Sequence, residues 1–101
     1  WKKAETFRNK FKNKKIIGTA SALEPEKNIS NLIKSAKILL KKRKDIVFVV
    51  FGEGSLRREL EKMIKNYGIE ENFFLEGFKK DIHNYVKSLD VFVLSSDSEG
   101  F

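Results

Sequence analysis

Four short apolar blocks of strand character alternate with three segments whose apolar residues recur at helical spacing, and few folds satisfy that alternation. Residues 15–20 (Lys-Ile-Ile-Gly-Thr-Ala) read as a first strand. Ile29, Leu32, Ile33, Ala36, Leu39 and Leu40 then line one side of a helix, with Asn28 placed to cap its start. Residues 46–51 form an unbroken β-rich run, the pattern of a strand covered on both faces. Gly52-Glu53-Gly54-Ser55 turns the chain into a second helix with Leu56, Leu60, Met63, Ile64 and Tyr67 as its stripe, and Gly68 is placed to end it. The cycle repeats: Phe73-Phe74-Leu75 is a short strand broken by Gly77. Asp81 is placed to cap a helix carrying Ile82, Tyr85, Val86 and Leu89, and residues 91–94 form a fourth buried strand. Trp1, Ala4, Phe7 and Phe11 predict a leading helix that lays its aromatics on the body.

A β-α-β-α-β-α-β order calls for parallel strands joined by right-handed crossovers, so the predicted fold class is α/β: a Rossmann-like three-layer domain on a parallel four-stranded sheet. Residues 1–14 make the leading helix or linker, and residues 15–101 the domain. In such sheets ligands bind outside the carboxyl ends of the strands, where strand order reverses. The four loops that follow the strands collect Ser21 to Lys27, Gly52 to Ser55, Gly77 to Asp81 and Ser95 to Gly100. If the strand order is 3-2-1-4, the first and fourth strands flank the crevice, and Lys27 and Glu99 stand on its opposite lips.

Composition removes several classes of function. A chain of 101 residues with 41% hydrophobic and 35% charged content is ordinary for one globular domain. It has no cysteine, so disulfides and thiolate metal sites are excluded, and its apolar runs are too short to span a bilayer. No signal-peptide pattern opens it. The net charge of +7 is mostly scattered lysine with denser runs at 12–15 and 41–44. The second run closes a predicted helix, where cations complement the macrodipole, and no nucleic-acid motif accompanies the charge. Trp1 in first place and a last residue in mid-motif imply an excised piece of a longer protein.

Individual residues weigh less than their arrangement. Lys27, at or just before the first turn of a helix after a strand, would make an anion site with the helix amides, yet spacing alone favours an ordinary surface lysine. Gly52-x-Gly54 has the shape of a phosphate loop but lacks the full dinucleotide fingerprint, and any tight strand-to-helix turn needs such glycines. Glu99 can accept hydrogen bonds from sugar hydroxyls or simply cap a helix. Asp97 and Glu99 are too few ligands for a metal, and His83, the only histidine, lies off its helix's apolar stripe with no partner for catalysis.

Taken together, Leu23-Glu24-Pro25-Glu26-Lys27-Asn28, Gly52-Glu53-Gly54-Ser55-Leu56, Phe74-Leu75-Glu76-Gly77-Phe78, Asp90 to Ser96 and Glu99-Gly100-Phe101 resemble, in that order and spacing, the C-terminal domain of family 4 retaining glycosyltransferases. The resemblance runs from about residue 15 to the end and covers the first half of that nucleotide-sugar-binding domain. It implies a GT-B protein of two Rossmann-like domains, with the acceptor on an N-terminal domain lying outside this chain. It also implies transfer with retained anomeric configuration, no cofactor and no obligatory metal. Lys27 is then a diphosphate ligand, and Glu99, followed by Gly100, contacts the donor sugar. Main chain at Gly77 and Phe78 borders the base, and Gly52 and Gly54 lie close to the nucleotide. The expected partner is a nucleotide-diphosphate sugar and not nucleic acid. The expected location is cytoplasmic, with a peripheral position at the inner membrane face open to the whole protein.

Two departures from the family pattern stand out. Ala22 replaces an arginine that usually supplies a second diphosphate ligand, and the chain stops before the family's second glutamate. The expectation is therefore a piece that carries part of a donor site and transfers no sugar alone, and that self-associates through an exposed fourth strand. The competing reading from another class is a non-enzymatic, flavodoxin-like binding or signalling module. Its acidic cluster would have to follow the first strand directly, whereas Glu24 and Glu26 lie further on.

Overall fold

The computed structural model describes residues 2–93; Trp1 and residues 94–101, which include Glu99 and Gly100, lie outside the described residues, as do the side chains of Lys2 and Ala4. The element order is α1 (Lys2–Lys10), β1 (Lys15–Ala20), α2 (Ile29–Lys42), β2 (Ile46–Phe51), α3 (Arg57–Asn66), β3 (Phe73–Gly77), α4 (Ile82–Val86) and β4 (Val91–Phe92). All strand pairs are parallel and the order across the sheet is β3-β2-β1-β4, so strand order reverses between β1 and β4.

Strand β2 explains the three layers. All six of its residues are buried, because alternate side chains enter two separate cores. Ile46, Phe48 and Val50 join α2 and α3 through Ile29, Ile33, Ala36, Leu40, Leu60 and Ile64. Val47, Val49 and Phe51 point the other way, to Phe7 and Phe11 of the leading segment and to Ile82, Tyr85 and Leu89 around α4. The aromatic packing there is edge-on: Phe7 meets Phe11 at 5.3 Å and Tyr85 at 5.7 Å between ring centroids.

Asp90 fastens the far side of the sheet. Its carboxylate accepts from the Ile16 amide at 2.7 Å and lies 3.4 Å from the Arg8 guanidinium, while its own amide donates to the Ile16 carbonyl. Arg8 also donates to the Lys14 carbonyl, so one residue ties α1 to the end of the turn into β1 and, through Asp90, to β1 itself.

Four expectations need correction. Strand β3 runs on to Gly77, which ends it at φ 81, with a register shift opposite Val50 and Phe51. Asn28 occupies the N-cap position of α2 in a left-handed conformation (φ 52) without a side-chain capping bond, and Asp81 likewise makes none to α4. The fourth strand is not buried: it covers only Val91–Phe92, 48% and 45% exposed, because it is the outer strand and pairs with β1 alone among the described residues.

The two faces of α2 make a direct test of this layering. Ile33 is fully buried and Ile38 is 66% exposed. Ile33→Ala is expected to lower unfolding stability by about 2–5 kcal/mol, and Ile38→Ala to change it by less than about 0.5 kcal/mol, read as shifts in urea midpoint at constant slope.

Candidate functional site

The loops after β1 and β2 are zipped together at the carboxyl edge. Ser21 donates its amide to the Phe51 carbonyl at 2.9 Å, Leu23 to Glu53 at 3.0 Å, and Leu56 returns one to Leu23 at 3.0 Å. This contact demands glycine twice. A Cβ on Gly52 would stand 1.9 Å from the Ser21 carbonyl oxygen, and one on Gly54 would stand 2.4 Å from that of Leu23. Gly52 also donates to the Gly77 carbonyl at 2.8 Å, which brings in the end of β3.

A carboxylate completes the joint. Glu24 accepts from both the amide of Ser55, at 3.0 Å, and its hydroxyl. These bonds, the hydroxyl's first, hold the Glu24 carboxyl below its ordinary value of 4.5. Glu24 thus puts a negative charge where the turn enters α3, the place an anionic ligand would otherwise take. The amides of Gly52, Ser55 and Leu56 are committed to internal acceptors, which leaves fewer donors for a ligand at this turn. The other helix N-terminus on this edge differs. Helix α2 has no acid in its first turn, and half-buried Lys27 sits just ahead of it, closing the 3-10 turn Pro25–Lys27 with an amide bond to the Glu24 carbonyl at 3.0 Å.

An open cavity of about 300 Å³ lies between these loops. Phe51 and Ala20 end their strands beneath it, Ser21, Ala22, Gly52 and Glu53 form one side, and Phe78, Lys79 and Ile82 the other. Phe78 is 76% exposed, an apolar ring held at the rim. Of the residues singled out from sequence, Gly52 and Phe78 line the cavity, and Gly77 is bonded to it through Gly52. Lys27 and Gly54 stand on the adjoining loops at the same edge without lining it, and Glu99 and Gly100 fall outside the described residues. His83 is exposed, and no cluster of three or more potential metal ligands exists among the described residues.

Three contributors escaped the sequence reading. Lys79 lines the cavity; the signal available was its place directly after Phe78. Glu24 locks the two loops, which required knowing that its partner lies 31 positions away. Arg57 donates to Glu53 at 2.9 Å, Glu61 at 3.0 Å and the Leu75 carbonyl at 2.9 Å, bracing the β2 turn against β3.

Comparison with known proteins gives the family. A family model, Glycosyl transferases group 1, matches residues 2–101. A poly(ribitol-phosphate) alpha-N-acetylglucosaminyltransferase of Staphylococcus aureus is 33% identical over 90 residues, 89% of this chain and 18% of that protein. The structure of a Staphylococcus aureus TarM variant with fondaparinux, alpha-GlcNAc-glycerol and UDP superposes at a TM-score of 0.80 with 32% identity, over 83% of this chain and 17% of that one. A C-terminal domain of a group 1 glycosyl transferase (LpcC) from Francisella tularensis superposes at 0.79 with 25% identity, over 92% of this chain and 52% of that domain. The chain spans about a fifth of the length of the first relatives it matches. The flavodoxin-like signalling reading finds no support in these matches.

The Glu24 joint has a pH signature. A carboxyl held low in the fold stabilises it above 4.5, and the contribution is lost as pH falls through the lowered value. Glu24→Gln should therefore melt below the unmodified protein at neutral pH, and the gap in Tm should narrow as the pH drops below 4.5. These features, sheet order, zipped loops and matched model alike, make the chain a member of the Glycosyl transferases group 1 family.

Proposed function

We propose that this chain is the first half of the nucleotide-sugar-binding, C-terminal domain of a retaining GT-B glycosyltransferase, and that it holds part of the donor site. The observation that carries this reading is the cavity at the carboxyl edge, walled by the Gly52 turn and rimmed by Phe78, beside a lysine at the head of α2. The base lies against Phe78 and the main chain after Gly77. The diphosphate sits at the acid-free N-terminus of α2 with Lys27, since Glu24 already occupies the entry to α3. Its charge is met there without a metal ion. Glu99 accepts hydrogen bonds from the donor sugar.

The match to about half of a group 1 C-terminal domain supports the placement within the domain. The reading of retention draws support from the TarM complex, which holds alpha-GlcNAc-glycerol together with UDP. Gluco-configured nucleoside diphosphate sugars are themselves alpha-linked, so an alpha product keeps the configuration. Alone, the chain transfers nothing, because a water-excluded site forms only when two domains close on the donor.

Three assays follow from this. In the whole protein, the product formed from an alpha-linked nucleotide sugar is expected to be alpha by its anomeric proton coupling; a beta product contradicts retention. Lys27→Ala removes one charge-assisted contact and should raise the donor KM roughly tenfold or more, and Phe78→Ala should raise it about threefold to tenfold through lost stacking. Unchanged KM in both variants contradicts the donor site. The 101-residue chain should bind UDP only at millimolar Kd, about −4 kcal/mol.

A further inference from the structure

A second cavity, of about 370 Å³, opens beside the first between α1, α4 and the end of β3. Lys3 and Lys10 reach it from α1, and Lys79 from the loop after β3; Phe7 and Tyr85 give it an aromatic wall, and Glu76 is its only acid. The charge balance here differs from the Arg-based ion pairs. Arg43 lies 2.7 Å from Asp45, Arg57 2.9 and 3.0 Å from Glu53 and Glu61, and Arg8 3.4 Å from Asp90. In the cavity, Lys10 and Lys79 share the single Glu76 carboxylate at 3.9 and 4.0 Å, beyond hydrogen-bond reach.

Three ammonium groups against one carboxylate leave a local surplus of positive charge, and two of them are held in place by rings. The Lys10 Nζ stands 5.8 and 5.6 Å from the centroids of Phe7 and Phe11, and that of Lys79 is 5.3 Å from Tyr85. The Glu76 carboxylate lies between Lys10 and Lys79 and offsets one of the three positive charges, leaving a formal surplus of two. A concave, aromatic-walled site of this volume with excess cations suits a ring bearing a multiply charged oxyanion.

We infer that this cavity binds a phosphate monoester carried on a small ring, distinct from the donor nucleotide. The phosphate sits among Lys3, Lys10 and Lys79, and the ring lies on Tyr85 and the edge of Phe7. Lys79 lines both cavities, whereas Lys3 and Lys10 line only this one. Substituting either therefore separates this site from the donor site.

The test is a titration of the protein with phenyl phosphate, inorganic phosphate and benzyl alcohol, followed by amide chemical shifts and calorimetry. Phenyl phosphate is expected to shift amides of α1 and α4 and to bind about tenfold more tightly than inorganic phosphate, since it adds the ring contact; benzyl alcohol should not bind. Lys10→Gln and Lys3→Gln should each weaken phenyl phosphate about tenfold, while UDP affinity stays unchanged and the circular dichroism spectrum is kept. Phenyl phosphate binding that neither substitution weakens overturns the inference. So does inorganic phosphate binding as tightly as phenyl phosphate, or shifts confined to the Gly52–Phe78 cavity. UDP failing to bind while phenyl phosphate behaves as described would sink the donor-site reading and leave this one standing.

Discussion

The backbone after β1 passes so close to the backbone after β2 that no side chain fits between them, and the carboxyl edge takes its shape from that approach. Gly52 and Gly54 supply the clearance, and the amide bonds of Ser21, Leu23 and Leu56 hold the loops at that distance. Glu24 and Ser55 then close the joint from outside. With the two loops fixed, the Gly77 carbonyl is drawn onto Gly52, and Phe78 is left projecting over the space between them. The rim of the cavity is thus set by packing of main chain, which costs less entropy to keep rigid than a rim of long side chains.

Two helices begin at this edge, and their electrostatics diverge. The turn into α3 carries an internal carboxylate, which accepts from the Ser55 amide and hydroxyl and sets a negative charge at the positive end of the dipole. Helix α2 begins without an acid, after a 3-10 turn that ends in Lys27. The asymmetry leaves the head of α2 as the one of these two ends with no built-in carboxylate, even though the glycine-rich turn is the more conspicuous.

Much of this architecture was legible in the sequence. The buried run at 46–51 announces a central strand, and the helical stripes of α2 and α3 match the residues that enter the first core. The alternation of elements calls for a parallel sheet with its loops gathered at one edge, whereas the order 3-2-1-4 enters from sequence only as a condition, which the sheet meets. Where the reading erred, the cause was tertiary. Val91 and Phe92 are as apolar as β2, but local pattern cannot say that a strand is outermost. Asn28 has the right chemistry for a cap, yet the 3-10 turn before it imposes a left-handed backbone instead. Glu24, Arg57 and Lys79 act across 31, 18 and two-element separations, which no window along the chain reveals.

The account turns on one location for the nucleotide. Titrating isotope-labelled protein with UDP and following backbone amide shifts measures it directly. The predicted response gathers in the loop after β1 up to the head of α2, in the Gly52 turn, and at Gly77 to Lys79, with the amino edge around Lys15 and Ile46 silent. Shifts centred on that amino edge or on the outer faces of α2 and α3, or no shifts at millimolar UDP, would contradict it.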